Sequence, residues 1–187
     1  MMNPTMTLAL AASLVATAAA SADDLWPHVD GSMKHLLVSL EGQTLSVHAD
    51  GDAMERMDML IYPGERYSAP ADVLDEKYYS SRYGWLADGF IDLPSGAGVF
   101  VSVLDSDAGL EVYEGGMRMQ RESHTYAPIL GTAGNNDPWQ WGGTMVHNWY
   151  AAASPGRYEA TYEVYIGDAA TGDPMPGYTA GQVTVYF

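Results

Sequence analysis

The sequence predicts an all-β protein: one antiparallel β-sandwich domain of the immunoglobulin-like class, formed by residues 23–187. Short apolar or alternating segments follow one another, separated by Gly, Pro, Asn and Asp turn residues at spacings typical of a sandwich. The chain has 13 tyrosines and 20 glycines, which suit a twisted sheet with many tight turns. The strand spacing favours a sandwich over alternating strand and helix units.

The first half of the domain predicts three strands and one short helix. Residues 35–40 and 44–49 are strand-like runs, and the three residues between them indicate a hairpin. Residues 57–62 form a third run, which ends at a Pro-Gly pair. A short helix is predicted around residues 71–79.

The second half predicts four more strands. Residues 97–104 and 110–113 are apolar runs that end in turn residues. Residues 157–166 form the clearest strand, because five apolar positions alternate with polar ones over its length. The last segment, QVTVYF, places Val183, Val185 and Phe187 on one face.

Residues 1–22 are predicted to be a cleaved signal peptide. An apolar stretch over residues 8–20 ends in Ala20-Ser21-Ala22, an A-x-A cleavage pattern followed by acidic residues. The stretch is shorter than the roughly 20 residues needed to span a bilayer. No C-terminal sorting or anchor segment follows. We therefore expect a periplasmic or secreted protein without a membrane anchor.

The composition excludes several classes of function. The chain has 24 acidic residues, eight basic residues and a formal net charge of −16, whereas nucleic-acid binding needs clustered Lys and Arg. Cysteine is absent, which excludes metal sites with cysteine ligands and redox sites based on cysteine. The sequence has no Gly-x-Ser-x-Gly elbow, no His-Glu-x-x-His helix and no Gly-rich phosphate loop, so no enzyme is predicted.

Several short segments carry a family resemblance. His28-Val29-Asp30 stands near the predicted mature start, and Leu45-Ser46-Val47-His48 stands in an early strand. His147-Asn148-Trp149-Tyr150 is followed by Ser154-Pro155-Gly156-Arg157-Tyr158. In order and spacing, these pieces resemble the surface-anchored repeat domains of actinobacteria and their zinc-regulated cell-surface relatives in cyanobacteria and proteobacteria. The resemblance implies extracytoplasmic zinc handling, with a metal-uptake system as a possible partner, rather than an enzyme.

Histidines within these segments are the candidate metal ligands. Imidazole nitrogen is a good ligand for Zn²⁺, and three histidines with a carboxylate or water complete a tetrahedral shell. The resemblance favours His28, His48 and His147 as ligands. Asp30 shares a face with His28 in extended chain, and His124 completes the candidate set. Zinc capture, buffering or delivery is the predicted function.

Copper is the alternative metal. Met33 with His35, and Met145 with His147, form two Met-x-His pairs. Thioether and imidazole together suit Cu(I), although methionine is also a routine core residue.

Two further readings remain open. A metal-free adhesion or glycan-binding module would stack sugar rings on exposed aromatic residues, for which Trp139, Trp141, Trp149 and Tyr150 are the candidates; burial in a sandwich core is the competing reading. The segment Asp105-Ser106-Asp107-Ala108-Gly109 begins like a calcium loop, but its twelfth position is Gly116 instead of glutamate, which favours a turn.

Overall fold

The computed structural model describes residues 25–187, so the predicted signal peptide lies outside the described residues. The described chain is all-β, as the sequence predicts. Two open sheets face each other across a common apolar core in a sandwich-like arrangement. Within residues 25–187, no helix has the length and apolar character needed to cross a membrane.

Eleven strands and three short 3-10 helices make up the regular structure of residues 25–187. The strands are β1 Lys34–Glu41, β2 Thr44–Ala49, β3 Tyr78–Ser80, β4 Tyr83–Ala87, β5 Ala97–Ser106, β6 Glu111–Gly116, β7 Pro128–Ile129, β8 Trp139–Trp141, β9 Val146–Ala152, β10 Glu159–Asp168 and β11 Gly181–Tyr186. The 3-10 helices are Ala71–Leu74, Arg121–Ser123 and Thr132–Gly134.

The larger sheet has the strand order β2-β1-β4-β9-β6-β7, and β3 also pairs with β9. The smaller sheet has the order β11-β10-β5-β8. Every neighbouring pair is antiparallel except β1 and β4, which run parallel. This parallel pair brings the start of the first strand next to the centre of the larger sheet.

Alternating residues of both sheets fill the main core. In β10, Ala160, Tyr162, Val164 and Ile166 are at most 1 % exposed, as the alternation of that segment predicts. Val183, Val185 and Phe187 are buried beside them, which confirms the predicted face of the last strand. The larger sheet contributes residues such as Leu36, Val38, Tyr83 and Trp85.

The larger sheet is also covered on its outer face. A second apolar cluster there includes Tyr79, Tyr113 and Trp149 from the strands, together with Tyr67 and Leu74 from the loop that precedes β3. Residues of the N-terminal segment pack against it. The larger sheet is therefore buried on two sides around β9.

The predicted β1–β2 hairpin is confirmed, with Leu40 opposite Leu45 and Leu36 opposite Ala49. Residues 57–62 do not form the predicted strand: Met57 is buried in the core, and Leu60 makes only an isolated bridge to Tyr79. The helix predicted around residues 71–79 is a single 3-10 turn followed by β3. The residues at the end of the predicted helix form β3 instead, because they pair with β9. The local sequence pattern does not show this pairing.

Residues 25–33 form an extended segment, the N-terminal strap, which lies over the outer face of the larger sheet. Arginines hold it through its main-chain carbonyl groups. Arg118 donates to the carbonyls of Asp30 and Gly31, at 2.5 and 3.0 Å. Arg121 donates to the carbonyl of Pro27 at 2.8 Å, and Arg82 donates to that of Ser32 at 2.7 Å. The strap thus forms a lid over part of the outer face, where it packs against the second apolar cluster, which includes Trp149 of β9.

Arg118→Met is expected to loosen the strap. Arg118 is only 9 % exposed, and its loss removes two hydrogen bonds from a charged donor to the strap, a cost of about 1–3 kcal/mol. Chemical denaturation should show this loss, and limited proteolysis should show faster cleavage within residues 25–33. Arg157→Met is the matched control, because Arg157 is exposed and has no ion pair within residues 25–187. Equal proteolysis of the two variants would contradict the lid.

Candidate functional site

Two histidines lie side by side on the outer face of the larger sheet. In the strand register, Gly84 of β4 is opposite His35 of β1 on one side and His147 of β9 on the other. The flanking residues Leu36 and Trp85 point into the core, so the histidines point away from it. The two imidazole ring centroids are 6.2 Å apart, with the rings inclined at 69°. We call these two residues the histidine pair.

Gly84 makes the close approach possible. A Cβ atom at this position would lie 2.5 Å from both Cε1 and Nε2 of His147. The ring of His147 therefore covers the backbone of β4, in the space that any other residue would fill.

His147 is fully buried, with one ring nitrogen engaged and the other free. Its Nδ1–H donates to the carbonyl oxygen of Ser81 at 2.9 Å, and because a carbonyl only accepts, this bond sets the tautomer. Nε2 then carries a lone pair and makes no hydrogen bond of standard geometry among residues 25–187, although the backbone of Tyr83 lies close enough to the ring to raise its pKa slightly. Burial lowers the pKa of His147 to about 4, so the ring is neutral at neutral pH.

His35 is held in the same manner by a carboxylate. Its ring Nδ1 lies 2.8 Å from Oδ2 of Asp50, while Oδ1 of Asp50 accepts from the backbone N–H of His35 at 2.9 Å. Burial alone would raise the pKa of Asp50, but these hydrogen bonds keep that pKa below its ordinary value. Nε2 of His35 makes no hydrogen bond within the described range. The side chain is 21 % exposed, so the pair is reached from this side.

Both histidines therefore match the arrangement seen in metal-ligating histidines. In such residues one ring nitrogen binds the metal, and the other donates to a carboxylate or a backbone carbonyl. Asp50 is the carboxylate for His35, and Ser81 supplies the carbonyl for His147.

Charges of both signs lie around the pair, with Arg118 near His147 and the carboxylate of Asp50 in contact with His35. Arg118 lies near enough to His147 to add to the effect of burial in lowering its pKa. Burial, followed by the charge of Arg82, lowers the pKa of Arg118 itself. A cation at the histidine pair would therefore be repelled by Arg118 and attracted by Asp50.

His124, a predicted ligand, offers no free nitrogen in this arrangement. Its Nδ1 accepts the indole N–H of Trp149 at 2.9 Å, and its Nε2–H donates to the carbonyl of Met117 at 3.1 Å. Burial lowers the pKa of His124, consistent with a neutral ring held between these two partners.

His28 and Asp30 lie on the strap and make no hydrogen bond, ion pair or ring contact with the histidine pair among the described residues. Nε2 of His28 is 2.9 Å from Oε2 of Glu65, and its ring stacks on Tyr62 at a centroid distance of 4.0 Å. The hydroxyl of Tyr62 donates to the carboxylate of Asp30. His28, Asp30 and Tyr62 line a cavity of about 120 Å³ that Arg82 also borders.

His48 is exposed on β2, opposite Leu37 of β1, and lines a shallow surface depression with Met54 and Tyr186. The structure thus brings none of the predicted ligands His28, His48 and His147 together. No group of three or more His, Asp or Glu side chains placed to hold a metal ion is found within residues 25–187. The partner of His147 is His35, which the resemblance does not single out. The two Met-x-His pairs were the sequence signal that contained both members.

The aromatic residues proposed as a sugar-binding platform are buried. Trp149 and Tyr150 are fully buried, Trp141 is 2 % exposed and Trp139 is 8 % exposed. The indole N–H groups of Trp139 and Trp141 donate to Glu114 and to the carbonyl of Thr144. These four residues therefore present no ring face for stacking.

The carboxylates of the acidic segment at residues 105–109 accept hydrogen bonds from backbone N–H groups, and the N–H of Leu110 donates to the carbonyl of Asp107. Oδ1 of Asp105 accepts from the N–H of Ser106 at 3.0 Å, and Oδ2 of Asp107 accepts from the N–H of Glu159 at 2.9 Å. This is the geometry of a turn between β5 and β6.

Comparison with known proteins gives no match to this chain, whether with protein-family models, curated proteins or solved structures.

Proposed function

We propose that this protein binds a transition-metal ion outside the cytoplasm, and that the histidine pair is the binding site. The observation that carries the proposal is the orientation of the pair. In both His35 and His147, Nδ1 is held by an oxygen atom and Nε2 has no hydrogen-bond partner of standard geometry among residues 25–187. The residue of β4 that lies between the two histidines is Gly84, which has no side chain to separate them.

Protonation and burial both support this reading. Metal binding requires deprotonated ligands, and His147 is kept neutral by burial at any pH near neutrality. A buried nitrogen without a hydrogen-bond partner costs free energy, which a bound ion would recover. Such a site suits capture, buffering or delivery of a metal, with an uptake system as the partner. Zinc is the metal that the family resemblance implies.

The test is a metal titration of residues 23–187 by calorimetry, using Zn²⁺ in air and Cu(I) without oxygen. We expect one ion per chain for at least one of these metals. His35→Ala and His147→Asn should each weaken its binding at least about 100-fold. His147→Asn is chosen because the asparagine amide reproduces the Nδ1–H donor to Ser81 and lacks Nε2, so that loss of binding is separated from loss of folding.

His28→Ala and His48→Ala are the matched controls, since neither histidine shares a hydrogen bond or ring contact with the pair among the described residues, and both should bind as the parent protein does. If neither metal binds more tightly than about millimolar, or if the control variants lose binding while the pair variants keep it, the proposal is wrong.

We also propose export and an immunoglobulin-like sandwich. Export is supported by the apolar stretch over residues 8–20 and the Ala20-Ser21-Ala22 pattern, and it predicts Asp23 as the first residue of the mature protein by N-terminal sequencing. The immunoglobulin-like class is supported by two open, mainly antiparallel sheets around buried tryptophans. A crystal structure with Greek-key connections of another class would contradict it.

A further inference from the structure

A cavity lies at one end of the sandwich, where strands of both sheets contribute to its lining. There β4 ends at Ala87, β5 begins at Ala97 and β8 ends at Trp141. Residues of these strands, together with the β4–β5 loop over residues 88–96, line a cavity of about 430 Å³, which we call the end cavity. Its volume lies within the range of about 300–1,000 Å³ that small-molecule sites occupy.

The lining of the end cavity is almost entirely apolar. Ile91 and Leu93 of the β4–β5 loop pack against the main core from this end. Glycines form another part of the wall, and a Cβ atom added at Gly142 or Gly143 would meet no atom of residues 25–187 within 4 Å. Side chains therefore do not fill this space, and an apolar molecule that enters it would be removed from water.

Phe90 lies at the cavity with most of its ring in water. It is 85 % exposed, more than any other large apolar side chain of residues 25–187, and it belongs to neither apolar cluster. An exposed phenylalanine ring is unfavourable in water, and contact with an apolar ligand would recover that free energy. The ring contributes little to the fold and is available to a ligand.

Among residues 25–187, no charged side chain lines the end cavity, although the chain carries 24 acidic residues. Asp88 and Asp92 belong to the same loop, but both are exposed and neither lines the cavity. An anionic ligand such as a fatty acid would find no Lys or Arg partner there and would be repelled by these two carboxylates. A charged group of either sign would lose hydration without gaining an ion pair in the cavity. The lining thus favours a neutral molecule.

Gln140 supplies a hydrogen-bonding side chain to the lining. A Cβ atom at Gly98 would lie 2.6 Å from Nε2 of Gln140, so this amide lies against the backbone of β5 at the cavity. The amide has no hydrogen bond within the described part of the chain, whereas the indole N–H of Trp141 already donates to the carbonyl of Thr144. Gln140 can therefore donate to, or accept from, a polar group of a ligand.

We propose that the end cavity binds a neutral, mainly apolar small molecule. Phe90 and the apolar lining contact its hydrocarbon part, and the Gln140 amide bonds to a polar group. The volume and the single available polar side chain fit one organic compound better than a peptide, whose backbone would need many hydrogen-bond partners. Neither member of the histidine pair lines the cavity, so this site is separate from the proposed metal site.

The experiment is a fluorescence titration of residues 23–187 with N-phenyl-1-naphthylamine, a neutral apolar probe that becomes fluorescent when it leaves water. A metal chelator is present throughout, so that the result does not depend on the histidine pair. The same compound carrying a sulfonate group is the matched anionic probe. We expect one neutral probe per chain with a Kd of about 10 µM or tighter, and binding of the sulfonate at least about tenfold weaker.

Two variants locate the bound probe. Phe90→Ala should weaken binding of the neutral probe about tenfold, because it removes an exposed ring that contributes little to the fold. Gly142→Phe adds a ring at a lining position where a Cβ meets no atom, and it should weaken binding at least as much. Urea denaturation should show the stability of the parent for both. If Gly142→Phe is less stable than the parent, Phe90→Ala decides the outcome.

Met119→Ala is the matched control, because Met119 is 69 % exposed and does not line the end cavity. Its affinity for the neutral probe should equal that of the parent. A Kd above about 1 mM, or equal affinity of Phe90→Ala and the parent, would overturn the proposed site. Tighter binding of the sulfonate than of the neutral probe would overturn the assignment to a neutral ligand.

Discussion

Gly115→Ala is expected to leave little or no folded protein. Gly115 lies in β6, beside an irregularity in the pairing of β6 with β9. A Cβ atom there would lie 1.8 Å from the carbonyl oxygen of His147, 2.8 Å from its carbonyl carbon and 3.2 Å from Cα of Asn148. All three are main-chain atoms of a buried central strand, so no side-chain rotation relieves the overlap.

The strands would have to separate, and the hydrogen bond from the N–H of Gly115 to Oδ1 of Asn148 would be lost with them. We expect a loss of at least about 4 kcal/mol, which is a large part of the stability of a domain of this size. Circular dichroism and urea denaturation measure it. Gly142→Ala is the control, since no atom lies within 4 Å of the added Cβ and its φ is not positive. A Gly115→Ala protein as stable as this control would show that β6 and β9 are not packed as described.

Acidification from pH 6.5 to pH 4 is expected to remove about 3 kcal/mol of stability through His147 alone. Burial lowers its pKa from 6.5 in the unfolded chain to about 4 in the folded protein. Between these values the unfolded chain binds more protons than the folded one, so stability falls as the pH falls. The contribution is complete above pH 6.5 and lost by about pH 4.

The measurement is urea denaturation at several pH values in the presence of a chelator, which removes any metal. His124 also has a lowered pKa, and the side chains of His35 and Arg118 face His147. His147→Asn is therefore the comparison, because it keeps the donor to Ser81 and cannot titrate. Its stability should change less than that of the parent between pH 6.5 and pH 4. Parallel curves for the two proteins would contradict a buried neutral histidine.

The sequence predicts best those strands that have one face buried in the core and the other face exposed to solvent. β10 and β11 are of this kind, and their alternation of apolar and polar residues is visible in the chain. β9 is buried along nearly its whole length, because the smaller sheet covers one of its faces and the second apolar cluster, together with the strap, covers the other. Its pattern therefore does not alternate, and neither the strand nor the orientation of His147 can be derived from it.

The histidine pair could not be predicted from the sequence for a different reason. His35 and His147 are more than a hundred residues apart, and they meet only because β4 pairs in parallel with β1 and antiparallel with β9. A glycine at position 84 is equally compatible with a turn. No local sequence pattern shows the strand register or the space that Gly84 leaves. The Met-x-His pairs at the two histidines, in contrast, can be read directly from the sequence.

The clamping of the strap through carbonyl groups has a consequence for how this chain tolerates substitution. Arg118 and Arg121 recognise the path of the backbone and not the identity of the side chains along it, whereas Arg82 also donates to the hydroxyl of Ser32 at 2.9 Å. We therefore expect related proteins to conserve the three arginines and to vary in the amino-acid sequence of the strap. Gly31 is the exception, because its φ is +74° and an added Cβ would lie 2.9 Å from Nε of Arg82.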